Sequence, residues 1–196
     1  IADPYRWLED QQSPETRAWI ADQSRYTQSL LDSIPGRDRL KKRIADILTI
    51  DSLSAPMERG GRYFLGESKK EREKPRLILR RSLNGATEVL LDPLELSPDG
   101  KISTSLAAVT DDGKLLAYGV QKGGEDERFI RFMDVDTRKN LTDELPKGRI
   151  GSVSFTKDGK TVYYSRYGND DPRIFEHRMG TPASEDKAIF GEGYTK

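Results

Sequence analysis

Short apolar runs flank glycine turns at three places in the chain, and this pattern predicts β-hairpins. Residues 109–118 and 153–164 each read as a strand, an Asp-Gly turn and a second strand, and residues 59–65 are a degenerate copy. Gly accepts the positive φ that such a turn requires, and Asp tolerates it. The three turn glycines are spaced by 52 and 46 residues: Gly61, Gly113 and Gly159. A period of roughly 40–50 residues with several strands per period is typical of β-propeller blades.

Further apolar runs recur after each turn. A third run lies at residues 76–80, 129–135 and 173–177, and a shorter fourth run lies at residues 88–91, 139–141 and 186–190. Each unit therefore offers four short strands. We predict a mainly β fold, a partial β-propeller of about three four-stranded blades. The alternative is an ordinary antiparallel sandwich in which the turn spacing is a coincidence.

The first 50 residues carry helix signals instead. Ser13-Pro14-Glu15 predicts a helix start, with Ser as the N-cap, Pro in the first turn and Glu facing the helix dipole. A second helix is predicted from about Asp38 to Leu48, because its apolar residues recur at i, i+4, i+7 and i+8. No helix is predicted after residue 50. We therefore divide the chain into an N-terminal helical segment, residues 1–50, and the first blades, residues 51–196. The apolar faces of the two helices need a partner, which is either the sheets or a further domain.

The amino-acid composition limits the classes of binding partner that we expect for this chain. Hydrophobic and charged residues each make up 34% of the chain, and 33 basic residues balance 33 acidic ones. A net charge of zero supplies no basic field for nucleic acid or for an anionic membrane, so we expect neither partner. Cysteine is absent, which excludes disulfides and thiolate metal sites. Its absence is compatible with either the cytoplasm or the bacterial periplasm, and the localisation stays open.

The chain shows no catalytic apparatus of its own. The Gly-x-Ser-x-Gly motif of α/β-hydrolases is incomplete wherever part of it occurs. The single histidine, His177, lies in a predicted third strand, where a packed or exposed structural role is commoner than catalysis. Residues 134–140 begin with the spacing of a calcium loop but lack its Gly and its final Glu, so we interpret them as a turn. We expect no catalytic residue, no metal site and no cofactor in this segment.

Several strings resemble the prolyl oligopeptidase family, in the same order along the whole chain. The opening Asp3-Pro4-Tyr5-Arg6-Trp7-Leu8-Glu9-Asp10 is similar to the N-terminal signature of that family. Two helices follow, and then four further strings: Gly61-Arg62-Tyr63-Phe64, Leu90-Leu91-Asp92-Pro93, Ser97-Pro98-Asp99-Gly100 and Asp112-Gly113-Lys114-Leu115. The resemblance implies a helical segment packed on a C-terminal α/β-hydrolase domain, with a seven-bladed propeller capping the active site. The catalytic serine, aspartate and histidine then lie outside this segment, and the substrates are short peptides cleaved after proline.

The resemblance also implies two site residues. Asp126 matches an acidic position that pairs with an arginine of the catalytic domain, although an exposed turn acid is an equal alternative. Ile150 falls where relatives place an aromatic residue that lines the outer substrate pocket, and isoleucine cannot stack there in the same way. Two alternative functions stay open. Related oligopeptidases cleave after Lys or Arg, and a propeller fragment without a hydrolase domain would act as a protein- or peptide-binding module.

Overall fold

The computed structural model describes residues 3–167 and 172–193. The chain forms two compact units, Ile1–Thr49 and Ile50–Lys196. The first is helical and the second is built almost entirely of antiparallel strands. Across the residues that the structure describes, none of the helices combines the length and the apolar character needed to cross a membrane.

The first helix, α1 (Pro14–Asp32), begins where the capping residues predict. The Ser13 hydroxyl accepts a hydrogen bond from the Thr16 amide at 3.1 Å. The Thr16 hydroxyl in turn donates to the carbonyl oxygen of Trp7 at 3.1 Å, and Trp7 lies in a 3₁₀ turn, Arg6–Glu9. The Trp7 ring meets the Trp19 ring edge to face at 6.1 Å between centroids. The 3₁₀ turn that contains Trp7 thus contacts the first two turns of α1.

The second helix, α2 (Arg37–Leu48), starts one residue before the predicted position, after Gly36 at a φ of 82°. Its predicted apolar stripe exists but is solvent-exposed: Leu40, Ile44, Ile47 and Leu48 keep 61%, 46%, 52% and 74% of their surface. The apolar residues of α1 are exposed as well, including Tyr26 and Leu30. The helical unit therefore presents two solvent-exposed apolar faces.

The strands form three blades. In blade 1, the short strands β1 (Ser52–Leu53) and β2 (Met57–Arg59) share the inner edge of β3 (Arg62–Ser68), followed outward by β4 (Arg76–Arg80) and β5 (Glu88–Leu91). Blade 2 contains β6 (Ile102–Val109), β7 (Leu115–Lys122), β8 (Arg128–Asp134) and the first half of β9 (Asn140–Phe155). Blade 3 contains the second half of β9, then β10 (Thr161–Tyr167), β11 (Arg173–Arg178) and β12 (Lys187–Phe190). The described sheets do not close into a ring, which confirms the mainly β, partial-propeller prediction.

Two predictions about local structure are wrong. A one-turn helix, α3 (Pro93–Leu96), capped by the Asp92 carboxylate, and a 3₁₀ turn, Ala183–Glu185, occur after residue 50, where no helix was expected. In addition, the fourth strand of blade 2 does not stop after residue 141. It continues as the 16-residue strand β9, which pairs with β8 up to Gly148 and with β10 from Arg149 onward. A single strand therefore belongs to two blades.

Each pair of neighbouring blades encloses its own apolar core. Alternate residues of a strand face opposite sides of its sheet, so β7 serves both cores. Leu116 and Tyr118 point into the core between blades 1 and 2, while Ala117 joins the core between blades 2 and 3. All three side chains are completely buried. The blades thus pack face to face through these two apolar cores.

The hairpin turns add close backbone contacts between blades 1 and 2. Gly113 has a φ of 70°, and a Cβ atom there would lie 2.5 Å from the Arg59 carbonyl oxygen of blade 1. From the same blade, Arg62 donates to the Gly113 carbonyl at 3.1 Å and pairs with Asp136 at 3.0 Å. Glycine is therefore needed at this turn both for its backbone conformation and for the approach of the neighbouring blade.

Candidate functional site

Asp126 lies in the loop between β7 and β8, on the surface of blade 2. Its carboxylate accepts a hydrogen bond from the Arg149 guanidinium at 2.8 Å, with the two side chains 75% and 61% exposed. The flanking Glu125 pairs with Lys147 at 2.5 Å. This contact lowers the pKa of Glu125 and raises the pKa of Lys147. Exposed ion pairs of this kind contribute little stability, so Asp126 can exchange Arg149 for another cation at small cost.

Ile150 lies inside the molecule rather than on a surface of this chain. Its side chain is 4% exposed and belongs to the core between blades 2 and 3. Its backbone stands two residues past Gly148, the point at which β9 leaves β8 and pairs with β10. We call residues 147–152 the crossover segment. Asp126 and Ile150 are brought close in the fold, because Arg149, the partner of Asp126, precedes Ile150 in this segment.

Arg128 fixes the crossover segment, and sequence reasoning missed it. Its guanidinium donates to the Ile150 carbonyl oxygen from Nε at 3.0 Å and from Nη2 at 2.6 Å, and Nη2 also donates to the Gly151 carbonyl oxygen at 2.7 Å. Arg166 of blade 3 donates to the Lys147 carbonyl at 3.1 Å. Two arginines from different blades therefore hold the carbonyls of one segment. The pattern Arg-Phe-Ile-Arg-Phe in β8 reads only as an alternating strand, so it carries no signal of this contact.

His177 lies in β11, as predicted, and is completely buried. Its Nδ1 is 2.7 Å from the Asp186 carboxylate, and its Nε2 is 3.3 Å from the Asp143 carboxylate. Both ring nitrogens are thus occupied by carboxylates, and neither is free to take a proton from a nucleophile. Among the described residues, no group of His, Asp and Glu side chains has the arrangement of a metal site. Residues 134–140 form a turn in which Asp134 accepts hydrogen bonds from the amide and hydroxyl of Thr137.

Comparison with known proteins assigns this arrangement to a family. Residues 1–195 match the family described as "Prolyl oligopeptidase, N-terminal beta-propeller domain". The prolyl endopeptidase of Elizabethkingia meningoseptica is 32% identical over 97% of this chain and 28% of its own length. Prolyl oligopeptidase A of Amanita bisporigera is 29% identical over 95% of this chain and 29% of its own. The chain therefore spans less than a third of the length of these relatives.

A solved structure agrees with the sequence matches. It comes from a structural and mechanistic analysis of two prolyl endopeptidases, and it superposes with a TM-score of 0.84 at 34% identity. The superposition covers 96% of this chain and 30% of that one. The matched part contains both the helices and the three blades. This chain belongs to the prolyl oligopeptidase family, in which it corresponds to the N-terminal propeller domain.

Proposed function

We propose that the chain is the N-terminal and propeller portion of a serine peptidase that hydrolyses short peptides after proline. The observation that carries this proposal is the 32% identity to a prolyl endopeptidase, which extends over 97% of the chain. The catalytic Ser-His-Asp triad is proposed to lie in a C-terminal α/β-hydrolase domain, where it performs acyl transfer with an oxyanion hole. The propeller covers that active site and excludes large substrates. The open rim of three blades supports this role, since further blades are needed to close the ring.

The helical segment, residues 1–50, is proposed to pack on the hydrolase domain. Its two exposed apolar faces support this proposal, because surfaces of this kind are costly in water unless another protein surface covers them. Burial of the α2 stripe, Leu40, Ile44, Ile47 and Leu48, contributes up to about 1.5–3 kcal/mol per fully covered side chain.

Asp126 is proposed to contact an arginine of the hydrolase domain. Its high exposure and its weak pair with Arg149 support an exchange of partners when that domain is present. In the full-length protein, we expect Asp126→Asn to lower kcat/KM about 3- to 10-fold, which corresponds to about 0.7–1.4 kcal/mol. Arg149→Met is the matched control, because it removes only the pair within this chain and leaves Asp126 available. Equal effects of the two variants would contradict the interdomain role.

Ile150 is proposed as a substrate-lining position. Since its side chain is packed in the core, a peptide reaches this position through the backbone of the crossover segment and the exposed Gly151 beside it. Ile150→Phe tests the proposal. A lower KM for peptides supports contact at this position, whereas a loss of stability with an unchanged KM restricts Ile150 to the core.

The proposed activity is tested by expressing the complete reading frame and assaying chromogenic peptides that end in Pro, Lys or Arg. Hydrolysis after Pro that is abolished by a serine-directed reagent supports the proposal. Hydrolysis confined to Lys and Arg substrates assigns the related oligopeptidase specificity instead. A reading frame without a hydrolase domain, whose product binds peptides but does not cleave them, identifies a binding module. The 196-residue chain alone is expected to be inactive in every case.

A further inference from the structure

A buried charge cluster connects blades 2 and 3, and neither the family assignment nor the proposed function accounts for it. We call His177, Asp143, Asp186 and Tyr164 the histidine clasp. The histidine side chain is fully buried, and the two carboxylate side chains are 6% and 4% exposed. Tyr164 donates its hydroxyl to the second oxygen of Asp186 at 2.7 Å, and the Gly180 amide donates to Asp143 at 2.5 Å.

The hydrogen-bond geometry determines the charge of the ring. Burial and the hydrogen bond to Asp186 raise the pKa of Tyr164, so its hydroxyl remains a donor and Asp186 accepts at both oxygens. Asp143 already accepts from a backbone amide. A neutral imidazole has one N–H and would leave one carboxylate facing a lone pair, whereas an imidazolium donates from both nitrogens. The geometry points to a cationic His177 between two ionised carboxylates.

The cluster spans the boundary between two blades. His177, Asp186 and Tyr164 belong to blade 3, while Asp143 lies in the half of β9 that pairs with β8 in blade 2. Phe132 of blade 2 stacks on the imidazole, with ring centroids 6.1 Å apart and planes 10° apart. A ring face at this distance favours a cation. Both the ionic and the aromatic partners of His177 in blade 2 are therefore better suited to the imidazolium than to the neutral ring.

The joint between blades 1 and 2 lacks this charge and provides an internal comparison. Met133 occupies the position in β8 that corresponds to His177 in β11. The Tyr118 hydroxyl donates to the amide oxygen of Asn140 at 2.9 Å, whereas the Tyr164 hydroxyl of the clasp donates to the Asp186 carboxylate. The same architecture is thus stabilised by neutral groups at the joint between blades 1 and 2, and by an ionic cluster at the joint between blades 2 and 3.

We propose that the histidine clasp is a buried ionic lock between blades 2 and 3. The lock is complete while the ring is cationic and both carboxylates are ionised. A neutral ring would lose one of its two hydrogen bonds to the carboxylates, and the lock would then be incomplete. In the part of the chain that the structure describes, the titratable partners of the clasp are these two aspartates and Tyr164, and the uncharged Phe132 of β8 stacks on the ring. This proposal is independent of the peptidase function.

Nuclear magnetic resonance of ¹⁵N-histidine-labelled protein tests the proposal. His177 is the only histidine of this sequence, and in a longer form of the protein the signals absent from His177→Met identify it. At pH 8, where a free imidazole is ~95% neutral or more, we expect both ring nitrogens to be protonated. An unprotonated ring nitrogen at that pH overturns the proposal.

Variants provide the second measurement. His177→Met leaves two buried carboxylates unpaired, so amide exchange at Met179 should accelerate at least about tenfold, a change of about 1.4 kcal/mol. The matched probe in the preceding blade is the Val135 amide, which donates to the Lys114 carbonyl oxygen just as the Met179 amide donates to the Lys160 carbonyl oxygen. The exchange rate of the Val135 amide should not change. Adding Asp143→Asn and Asp186→Asn makes the cluster neutral and should restore slow exchange. Equal acceleration at both amides, or no rescue by the triple variant, contradicts the lock.

Discussion

Gly113→Ala measures how tightly blades 1 and 2 approach each other. The substitution forces an L residue to a φ of 70°, which costs about 1–2 kcal/mol. It also places a methyl group 2.5 Å from the Arg59 carbonyl oxygen and 3.1 Å from the Arg62 side chain. The carbonyl belongs to backbone and cannot rotate away, so overpacking adds about 1–3 kcal/mol. We expect a total loss of about 2–5 kcal/mol.

Gly123→Ala is the matched control for this prediction. Gly123 also has a positive φ, 60°, but a Cβ atom there meets nothing within 4 Å. Its substitution should cost only the conformational part, about 1–2 kcal/mol. Urea unfolding of both variants, with unchanged m-values, gives the comparison. Equal losses for the two variants would refute the argument that blade contact, rather than turn geometry alone, requires Gly113.

Two further predictions concern the crossover segment and the hairpin turns. Arg128→Met removes three hydrogen bonds to the Ile150 and Gly151 carbonyl oxygens and should cost about 1–3 kcal/mol of unfolding free energy. Arg131→Met in the same strand loses a half-exposed ion pair with Glu144 and a side-chain interaction with Tyr118, and should cost about 1 kcal/mol or less. Similar losses for the two variants would contradict the special role of Arg128. The Thr110 hydroxyl and the Lys114 backbone amide hold the pKa of Asp112 below its usual value. The Thr156 hydroxyl and the Lys160 backbone amide do the same for the pKa of Asp158. The stabilising contribution of these two carboxylates is therefore present above about pH 4 and is lost as pH falls through their folded-state pKa. The double variant Asp112→Asn/Asp158→Asn should show a smaller fall in melting temperature on acidification than the wild type. An unchanged fall would refute this origin.

The repeated hairpins could be predicted because their signals are local. An Asp-Gly turn between apolar runs determines its own geometry, and repetition of that turn shows the blade period without any knowledge of long-range contacts. The helix start at Ser13 is local in the same sense, since the cap bonds lie within four residues. These elements appear in the structure where the sequence indicates them.

Strand β9 shows why other elements could not be predicted. Pro146 and Gly148 normally end a strand, because one lacks an amide donor and the other adds flexibility. Here the register between β8 and β9 shifts between Arg128 and Ile130, and Pro146 falls in that shift, where no ladder bond is required. Strand β9 continues past these residues because it exchanges its partner β8 for β10, and this exchange depends on the tertiary structure. The contacts of Arg128 and of the histidine clasp depend on the same long-range arrangement, so no sequence pattern indicates them.

The shared strand has a mechanical consequence. Blades 2 and 3 have no loop between them, whereas blade 1 is joined to blade 2 by residues 92–101, which include α3. Protease digestion should therefore sever the first blade from the others more readily than it separates the second from the third. Under load or partial denaturation, the pair joined by β9 should open as a single cooperative block.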